Sequence, residues 1–399
     1  MVQAVILAAG ESTRTHPLTL TKHKGLLKVG NRFILEHLLE ALFECGVEET
    51  ILVVGYKKEL ITAKFGNEFK GMKITYVVQD EAKGTMHALS LAKGLLKDRF
   101  IVHYGDDIIT ATDLKKVLEH DYAMLLMETD APERFGIATL DEEGYLTDIV
   151  EKPKEHIGNL ASIGGFMFDK RIFDYPMTKA EGQKEYYIPD VLRMLCKDIK
   201  VKGIIMESYW LPTGYPWDLL NANEVVTDEL SYSKIEGEVE EGATIKGNVH
   251  IGAGTIVKAG TYIEGNCIIG RNCTIGPSAY IRPGSSIGDN CTVGNFVTVK
   301  NSILMDNTKV GHLSYIADSI LGEGVNIGAG TITANLKHDN SHVKAMSKDG
   351  IKSTGRRKFG AVIADNAKTG IKTAFYPGRM IWPGKSTLPM TVVREDVKG

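Results

Sequence analysis

The 399-residue sequence has few cysteines, little net charge and no long apolar run. Five cysteines, an odd number in a chain of this length, argue against a disulfide scaffold and for a reducing compartment. The 47 basic and 50 acidic side chains leave a net charge of -3. The composition therefore lacks the excess of basic side chains that is typical of nucleic-acid-binding proteins. No apolar stretch approaches the ~20 residues of a membrane span, and the first residues lack a signal-peptide pattern. We expect a cytoplasmic protein with no nucleic-acid or membrane partner.

Glycine, by contrast, is abundant and unevenly placed. Residues 1–232 contain 18 of the 42 glycines, whereas the shorter stretch 233–399 contains the other 24. The apolar fraction of 43% and the charged fraction of 24% are those of an ordinary globular protein. The chain length and this asymmetry predict at least two domains of different architecture.

The first part of the sequence alternates short apolar runs with helix-like stretches. The apolar runs are residues 4–7, 50–54, 74–78 and 100–104, and the clearest helical stretches are 33–45 and 85–96. This alternation predicts parallel βαβ units, and we assign residues 1–230 to a doubly wound α/β domain. Ligands bind such sheets beyond the carboxyl ends of the strands, here after Leu7, Val78 and Tyr104.

The second part repeats with a period of six residues. The aliphatic positions are Val239, Ile245, Ile251, Val257, Ile263, Ile269, Ile275, Ile281, Ile287, Val293 and Val299. A hexapeptide period is typical of a parallel β-helix in which each repeat sends one aliphatic side chain inward. We therefore assign residues 231–399 to a β-helix of hexapeptide repeats. The period disappears through residues 336–358 and resumes at Ile363, which predicts a loop ejected from a continuous solenoid.

A loop of small residues follows the first apolar run, in the string LAAGESTR that ends at Arg14. Such a loop lets backbone N–H groups approach phosphates, and nearby cations clamp the charge. With Pro17-Leu18-Thr19 and Lys24-Gly25-Leu26-Leu27, the string resembles the LAAGxGTRxxPLTxxxPKxLLPV signature of sugar-1-phosphate nucleotidylyltransferases. The resemblance implies a Rossmann-like domain with Arg14 and Lys24 as catalytic residues.

Further segments follow in the order of that family. Gln79 with Gly84-Thr85-Met86-His87-Ala88 resembles a base-recognition segment, Gly105-Asp106 a strand end that holds Mg²⁺, and Glu151-Lys152-Pro153 a sugar-phosphate contact. The nucleotide-binding residues that the resemblance implies are Leu7, Ala9, Gly10, Gln79, Gly84 and Thr85. The implied sugar-phosphate ligands are Gly136, Glu151, Lys152 and Ser162, and the implied metal ligand is Asp106.

Four positions depart from the family pattern. Ser12 stands in place of glycine, His23 in place of proline, and Ser162 in place of the sugar-binding asparagine. Pro212 occupies the position of an aspartate that supplies a second metal carboxylate, with Asp218 and Asn221 nearby as possible substitutes.

Two strings within the repeat region interrupt the hexads. They are HLSYIAD, which begins at His312, and VNIGAGTITAN, which begins at Val325. Both resemble segments of the bifunctional bacterial enzyme that acetylates glucosamine-1-phosphate and then uridylylates it. Attack of an amine on a thioester needs a base that titrates near neutrality, and histidine meets that need. We therefore predict that His312 is the base.

The same resemblance assigns ligands on the solenoid. The implied acetyl-acceptor ligands are Arg282, Lys300, Tyr315, Asn326 and Asn335, and the implied acetyl-CoA ligands are Ala329, Arg356 and Arg357. Basic residues cluster in the ejected loop, where they either bind the phosphates of acetyl-CoA or form a solvated face. The chain resembles the archaeal members of this GlmU-like family, whose solenoid is left-handed and whose members are homotrimers.

The resemblance implies a bifunctional enzyme of nucleotide-sugar biosynthesis, of the UDP-N-acetylglucosamine type. It would acetylate glucosamine-1-phosphate or galactosamine-1-phosphate with acetyl-CoA, and transfer a nucleotidyl group from UTP or dTTP to a sugar-1-phosphate with release of pyrophosphate. Two alternatives remain at this point. The first is an acetyltransferase whose front domain only binds or assembles, because Pro212 removes a metal ligand; the second is a non-catalytic regulatory subunit.

Overall fold

The computed structural model describes residues 2–179 and 183–398. The chain forms two compact units, and each unit combines two segments that are separated in the sequence. The first, the α/β unit, comprises Met1–Glu11 and Ile34–Leu211. The second, the solenoid unit, comprises Ser12–Phe33 and Pro212–Gly399. Two segments of the predicted first domain thus pack with the solenoid, namely residues 12–33 and 212–230. The assignment of domains as 1–230 and 231–399 stays a prediction.

Strands and helices alternate through the first 228 residues. In chain order they are β1 (Gln3–Ala8), β2 (Lys28–Val29), β3 (Arg32–Phe33), α1 (Ile34–Glu44), β4 (Glu49–Val54), α2 (Lys58–Phe65), β5 (Glu68–Phe69), β6 (Met72–Val78), α3 (Thr85–Leu91), β7 (Arg99–Tyr104), β8 (Asp107–Ile109), α4 (Ala111–Leu118), β9 (Ala123–Glu128), β10 (Gly136–Leu140), β11 (Leu146–Glu151), β12 (Leu160–Asp169), α5 (Ile188–Leu195), β13 (Lys202–Ile205), β14 (Trp210–Pro212) and α6 (Pro216–Asp228).

The α/β unit is built on one sheet with the strand order β11-β10-β12-β7-β1-β4-β6-β5, to which β9 adds by pairing with β12 and β13. Strand β1 lies between β4 and β7 in parallel register, and all six of its residues are buried. A strand covered on both faces has a nearly continuous apolar run, here residues 4–8, which ends at the loop that follows Ala8. The predicted doubly wound α/β fold is confirmed.

In the solenoid unit, residues 234–393, all of them described, form 24 short strands. They are β15 (Lys234–Ile235), β16 (Glu238–Val239), β17 (Thr244–Lys246), β18 (Val249–Ile251), β19 (Ile256–Val257), β20 (Tyr262–Glu264), β21 (Cys267–Ile269), β22 (Thr274–Ile275), β23 (Tyr280–Ile281), β24 (Ser286–Ile287), β25 (Thr292–Asn295), β26 (Thr298–Lys300), β27 (Ile303–Leu304), β28 (Lys309–His312), β29 (Tyr315–Ala317), β30 (Ile320–Leu321), β31 (Asn326–Ile327), β32 (Ile332–Thr333), β33 (Lys344–Ser347), β34 (Gly350–Ser353), β35 (Ala361–Ile363), β36 (Ala374–Phe375), β37 (Arg379–Ile381) and β38 (Val392–Val393).

All but β33 and β34 belong to three parallel sheets, which form the predicted left-handed β-helix. Sheet I begins with β15, sheet II with β16 and sheet III with β17, and every third strand joins the same sheet as far as β32. Beyond it, sheet I adds β35 and β37, and sheet III adds β36 and β38. His250 pairs with Ile268, one 18-residue coil further on, whereas Asn295 pairs with His312 across a 17-residue coil. The aliphatic hexad positions from Val257 to Val299 are buried in one continuous core.

The interruption of the hexads is an excursion with its own structure. An antiparallel bridge between Leu336 and Lys358 closes its base, and β33 and β34 form a hairpin inside it. The coils then resume, because Leu321 pairs directly with Ile363. The solenoid is therefore continuous across the ejected loop, as the sequence predicts.

The early segment Ser12–Phe33 and helix α6 pack onto the solenoid through polar contacts. Lys28 Nζ pairs with Asp306 at 2.7 Å, and Lys22 Nζ with Asp365 at 3.0 Å. Asn223 in α6 accepts a hydrogen bond from the Gly30 N–H and donates one to the Gly284 carbonyl. These directional contacts fix the segment relative to the coils of its own unit.

Among the helices of the described residues, none is long and apolar enough to cross a membrane.

Candidate active sites

The strand ends of the α/β unit bring the predicted base-recognition residues together. The Gln79 side-chain amide donates to the Gly84 carbonyl at 3.2 Å and contacts His87 Nδ1 at 2.9 Å. Gly84 has a φ of +102°, and a Cβ there would lie 2.4 Å from the Tyr186 carbonyl oxygen. Only glycine therefore fits between the sixth strand and α3, whose first residue Thr85 binds the Ile188 N–H.

The loop after β1 leaves space for a ligand. The Leu7 carbonyl accepts the Gly105 N–H, and the Ala9 carbonyl accepts the Tyr56 N–H. A Cβ on Gly10 would meet no atom within 4 Å. The loop is thus anchored to its neighbouring strands on one side, while the space beside Gly10 is open.

Three of the four predicted sugar-phosphate ligands lie on adjacent strands. Gly136 on β10 pairs with Glu151 on β11 and with Ser162 on β12. A Cβ on Gly136 would come within 3.0 Å of a Glu151 carboxylate oxygen, so glycine keeps that carboxylate accessible. The buried Ser162 hydroxyl has no hydrogen-bond partner among the described residues, as expected where a ligand hydroxyl would complete it.

The charges of Glu151 and Lys152 partly compensate each other. Lys152 Nζ lies 3.3 Å from Glu151 Oε1. Burial raises the pKa of the Glu151 carboxyl, an effect that Lys152 opposes and Asp190 reinforces. Lys152 itself adopts a φ of +48°, a conformation that is costly for a side-chain residue and clusters at functional sites.

Three carboxylates act electrostatically on Tyr104, the last residue of β7. Asp106, Asp107 and Glu151 each raise the pKa of the buried Tyr104 hydroxyl, after the larger effect of burial. Hard oxygen ligands of this kind suit Mg²⁺, which binds one or two carboxylates together with substrate phosphates. The described part of the chain contains no cluster of three or more metal-ligating side chains. The carboxylate oxygens of Asp106 are donors of the kind that such a metal prefers.

The predicted catalytic cations belong to the other compact unit. Arg14 is exposed and stacks over the Tyr215 ring at 5.5 Å from its centroid, while the neighbouring Thr15 hydroxyl donates to the Gly214 carbonyl. Lys24 is buried in a 3₁₀ turn that starts at His23, whose Nδ1 accepts the Gly25 N–H. The proline that the family has at position 23 is thus replaced by a residue that caps the turn.

The two groups near Pro212 have structural partners. Asp218 Oδ2 accepts the Tyr215 N–H at 2.8 Å and so caps α6. Asn221 Oδ1 accepts a hydrogen bond from Arg356. Each contact fixes its side chain within the solenoid unit.

His312 lies at the corner between sheets II and III of the solenoid. It ends β28, and its ring Nδ1 lies 2.6 Å from the Asn295 side-chain oxygen. Asn295 occupies the paired position on β25, one coil earlier. The motifs gave no signal for Asn295, although the coil spacing places it beside His312.

Sheet III carries Lys300 and Tyr315 of the predicted acceptor ligands, and Arg282 directly follows one of its strands. Tyr315 begins β29, Lys300 ends β26, and the Arg282 N–H binds the Val299 carbonyl on the next coil. The Arg282 Nε is buried without a partner in the described structure. Asn326 lies on sheet II, and the Ala329 carbonyl accepts the Lys372 N–H. The structure thus distributes the predicted set over sheet III and its corner with sheet II.

A buried carboxylate missed by the sequence reasoning joins two of these ligands. Asp318, whose side chain is 2% exposed, accepts hydrogen bonds from Lys300 at 3.2 Å, from Asn301 at 2.8 Å and from Asn335 at 2.5 Å. Asn335, predicted to lie beside the base, is therefore tied to Asp318. The signal was present, since Asp318 ends the same HLSYIAD string.

The Arg356 side chain also has a partner within the protein. Its guanidinium pairs with Glu224 of α6 at 2.5 Å, and only 12% of its side chain is exposed. Arg357 is exposed, with a single long contact to Asn340 at 3.5 Å. Of the two predicted acetyl-CoA arginines, Arg357 is the one whose charge is accessible.

Comparison with protein-family models finds two matches. The nucleotidyl transferase model matches residues 3–229, and the GMPPB C-terminal domain model matches residues 263–386.

Similar proteins match nearly the whole chain. The bifunctional protein GlmU of Methanocaldococcus jannaschii is 41% identical over 97% of this chain and 94% of its own length. The bifunctional protein GlmU of Methanococcus maripaludis is 43% identical over 94% and 91%. A protein of Sulfurisphaera tokodaii, named bifunctional sugar-1-phosphate nucleotidylyltransferase/acetyltransferase, is 34% identical over 99% and 98%.

Among solved structures, a putative glucose-1-phosphate thymidylyltransferase from Bacillus anthracis is similar to this chain. It is 28% identical with a TM-score of 0.53, and the match covers 59% of this chain and 98% of the other.

Proposed function

The chain belongs to the bifunctional GlmU-like sugar-1-phosphate nucleotidylyltransferases/acetyltransferases, and from this premise we propose how its residues carry the two reactions. It is an enzyme of nucleotide-sugar biosynthesis with a nucleotidyltransferase and an acetyltransferase activity, as the sequence predicts. Nothing among its relatives favours an acetyltransferase alone or a regulatory subunit.

In the nucleotidyl transfer, a sugar-1-phosphate oxygen attacks the α-phosphorus of UTP or dTTP and pyrophosphate leaves. Lys152 neutralises the incoming phosphate, and Glu151 and Ser162 bind sugar hydroxyls. Arg14 and Lys24 bind the triphosphate, and the Gln79 and Gly84 segment binds the base. Because both reactants are anionic, catalysis depends on charge neutralisation and in-line positioning. Mg²⁺, held by Asp106, adds charge neutralisation when bound.

In the acetyl transfer, the amine of glucosamine-1-phosphate or galactosamine-1-phosphate attacks the thioester of acetyl-CoA. His312 removes the amine proton, the C–N bond forms, the C–S bond breaks, and the thiol of coenzyme A leaves with a proton. Arg282 and Lys300 bind the phosphate of the acceptor, with Tyr315, Asn326 and Asn335 as further ligands. Ala329 and Arg357 bind acetyl-CoA. Arg356, held by Glu224, acts by fixing α6 to the solenoid.

A homotrimer is part of this proposal, and the surface beside His312 supports it. Phe296, Leu313 and Ile332 lie at the same corner and face, and each side chain is about half or more exposed. Exposed large apolar side chains that are grouped on one face are typical of interaction surfaces. A second copy of the chain, seated on this corner, would cover them and enclose the acetyl site.

The observation that carries the proposal is the coexistence of two sets of side chains in one chain, one at the strand ends of the α/β unit and one on sheet III and its corner with sheet II. Purified protein is incubated with either amino-sugar-1-phosphate, acetyl-CoA, Mg²⁺ and either triphosphate, and free thiol and pyrophosphate are followed separately. We expect both products. Thiol without pyrophosphate would leave only the acetyltransferase, and neither product would remove both assignments.

A further inference from the structure

Asn295 contacts the predicted base directly, although no motif includes it. Resting on the proposed role of His312, we propose that Asn295 is a positioning residue for acetyl transfer: its side-chain oxygen keeps a proton on His312 Nδ1 and leaves Nε2 free to accept the amine proton.

The contact is built into the ladder of the solenoid. Asn295 and His312 are paired residues on β25 and β28, and the Asn295 carbonyl also accepts the Leu313 N–H at 3.1 Å. The preceding residues Gly294 and Gly311 are stacked so closely that a Cβ on Gly294 would lie 1.9 Å from the Gly311 carbonyl oxygen. Glycine at this position therefore permits the close approach of the two coils, and with it the side-chain contact of 2.6 Å.

The residue after each partner has the same unusual backbone. Phe296 and Leu313 have φ values of +55° and +52°. The left-handed conformation recurs at the turns between the short strands of the solenoid, as at Asn272, Asn290 and Asn307. Because the two successive coils turn in the same way, Asn295 and His312 leave their strands at matching positions.

Hydrogen-bond chemistry determines which ring nitrogen of His312 carries the proton. A neutral imidazole carries one N–H and one lone pair, and an amide oxygen only accepts. A bond between the Asn295 oxygen and Nδ1 therefore requires the proton on Nδ1. The lone pair then lies on Nε2, which takes the proton from the attacking amine as the C–N bond forms. When the C–S bond breaks, that proton passes to the sulfur of coenzyme A, and His312 returns to its starting form.

Kinetics of three variants test the proposal. Asn295→Leu keeps the size of the side chain but removes the acceptor, Asn295→Asp keeps an acceptor oxygen, and His312→Gln sets the level without the base. Steady-state thiol release is measured with the full-length protein. We expect Asn295→Leu to lower kcat about 10- to 100-fold, as for other partners that orient a histidine, with KM for both substrates unchanged within about twofold, and Asn295→Asp to retain most of the wild-type kcat.

The tautomer is read independently by ¹⁵N NMR of histidine-labelled protein, with His312→Gln used to assign the signal. We expect the Nδ1–H form in wild type and its loss in Asn295→Leu. The proposal is overturned if Asn295→Leu keeps the wild-type kcat, if Asn295→Asp falls as far as Asn295→Leu, or if wild-type His312 carries its neutral proton on Nε2. The wild-type spectrum decides the question even if Asn295→Leu does not fold.

The kinetic series also separates this inference from the proposed function. If His312→Gln abolishes thiol release while Asn295→Leu does not, His312 remains the base and only the role of Asn295 fails. If His312→Gln retains acetyl transfer, the proposed base fails, and the role of Asn295 with it.

Discussion

The two regions of this protein bring their functional residues together in different ways. In the α/β unit, Gln3 pairs with Glu49 on one side and with Phe100 on the other, so neighbours in space are distant in sequence. In the solenoid, Asn295 meets His312 one coil later, and Lys300 pairs with Ala317 at the same spacing. A site on the solenoid is therefore built from residues that lie one coil apart in a local repeat. The site on the sheet depends instead on pairing between strands that are distant in sequence.

This difference predicts that the two activities can be removed separately. The largest effect is expected for His312→Ala, which should lower thiol release about 10²- to 10⁴-fold, the usual contribution of a positioned base. Pyrophosphate release, measured with the N-acetylated sugar-1-phosphate supplied directly, should be unchanged, because the coil contacts of His312 are local. The control is the wild-type rate of both products in one sample, and retained acetylation would remove His312 from the role of base.

Asp106→Ala should impair the nucleotidyl transfer alone. Removal of a carboxylate from the predicted metal site should lower pyrophosphate release about 10²-fold, the scale of lost electrostatic stabilisation, with thiol release unaffected. Asp106→Asn keeps the shape of the side chain and serves as the matched variant. Unchanged nucleotidyl transfer in both variants would show that the metal is held elsewhere.

Asp318→Asn tests whether a solenoid site is purely local. Asp318 also has Arg356 within 3.8 Å, so the loss of its charge affects contacts to α6 as well as those to Lys300 and Asn335. Hydrogen bonds to charged groups contribute ~1.5–3 kcal/mol each, and we expect the free energy of unfolding to fall by about 2 kcal/mol. Chemical denaturation measures this, with the exposed Asp349→Asn as the control for charge. Equal stability of the two variants would contradict a structural role for Asp318.

The smallest effect concerns pH and the Glu151 carboxyl. Burial raises its pKa in the folded protein, so between the ordinary carboxyl pKa and the raised value the folded state binds more protons than the unfolded state. The stabilisation associated with the protonated carboxyl is complete below the ordinary pKa and is lost as the pH rises through this window. Glu151→Gln should therefore flatten the decline in unfolding free energy across that range. A decline of the same slope in wild type and variant would contradict this assignment.

Prediction from sequence succeeded where a pattern is local. Strands predicted at 50–54 and 74–78 are observed as Glu49–Val54 and Met72–Val78, and the predicted helix 85–96 is the shorter Thr85–Leu91 followed by a 3₁₀ turn at Lys93–Leu95. The hexad period located the coils and the excursion between them. The adjacency of Gly136, Glu151 and Ser162 was not predictable from spacing, because it arises from antiparallel pairing of β10 with two strands.

The sequence by itself determined the two architectures, since the alternation of apolar runs with helical stretches and the six-residue period can both be read from the order of apolar side chains. It also located the motifs of both reactions. Tertiary structure alone decided which unit each motif belongs to: the string that begins at Leu7 divides after Glu11, and its Arg14 end packs with the solenoid unit. It alone decided the partners of His312 and Lys300 as well, because Asn295 and Asp318 reach them through the stacking of successive coils.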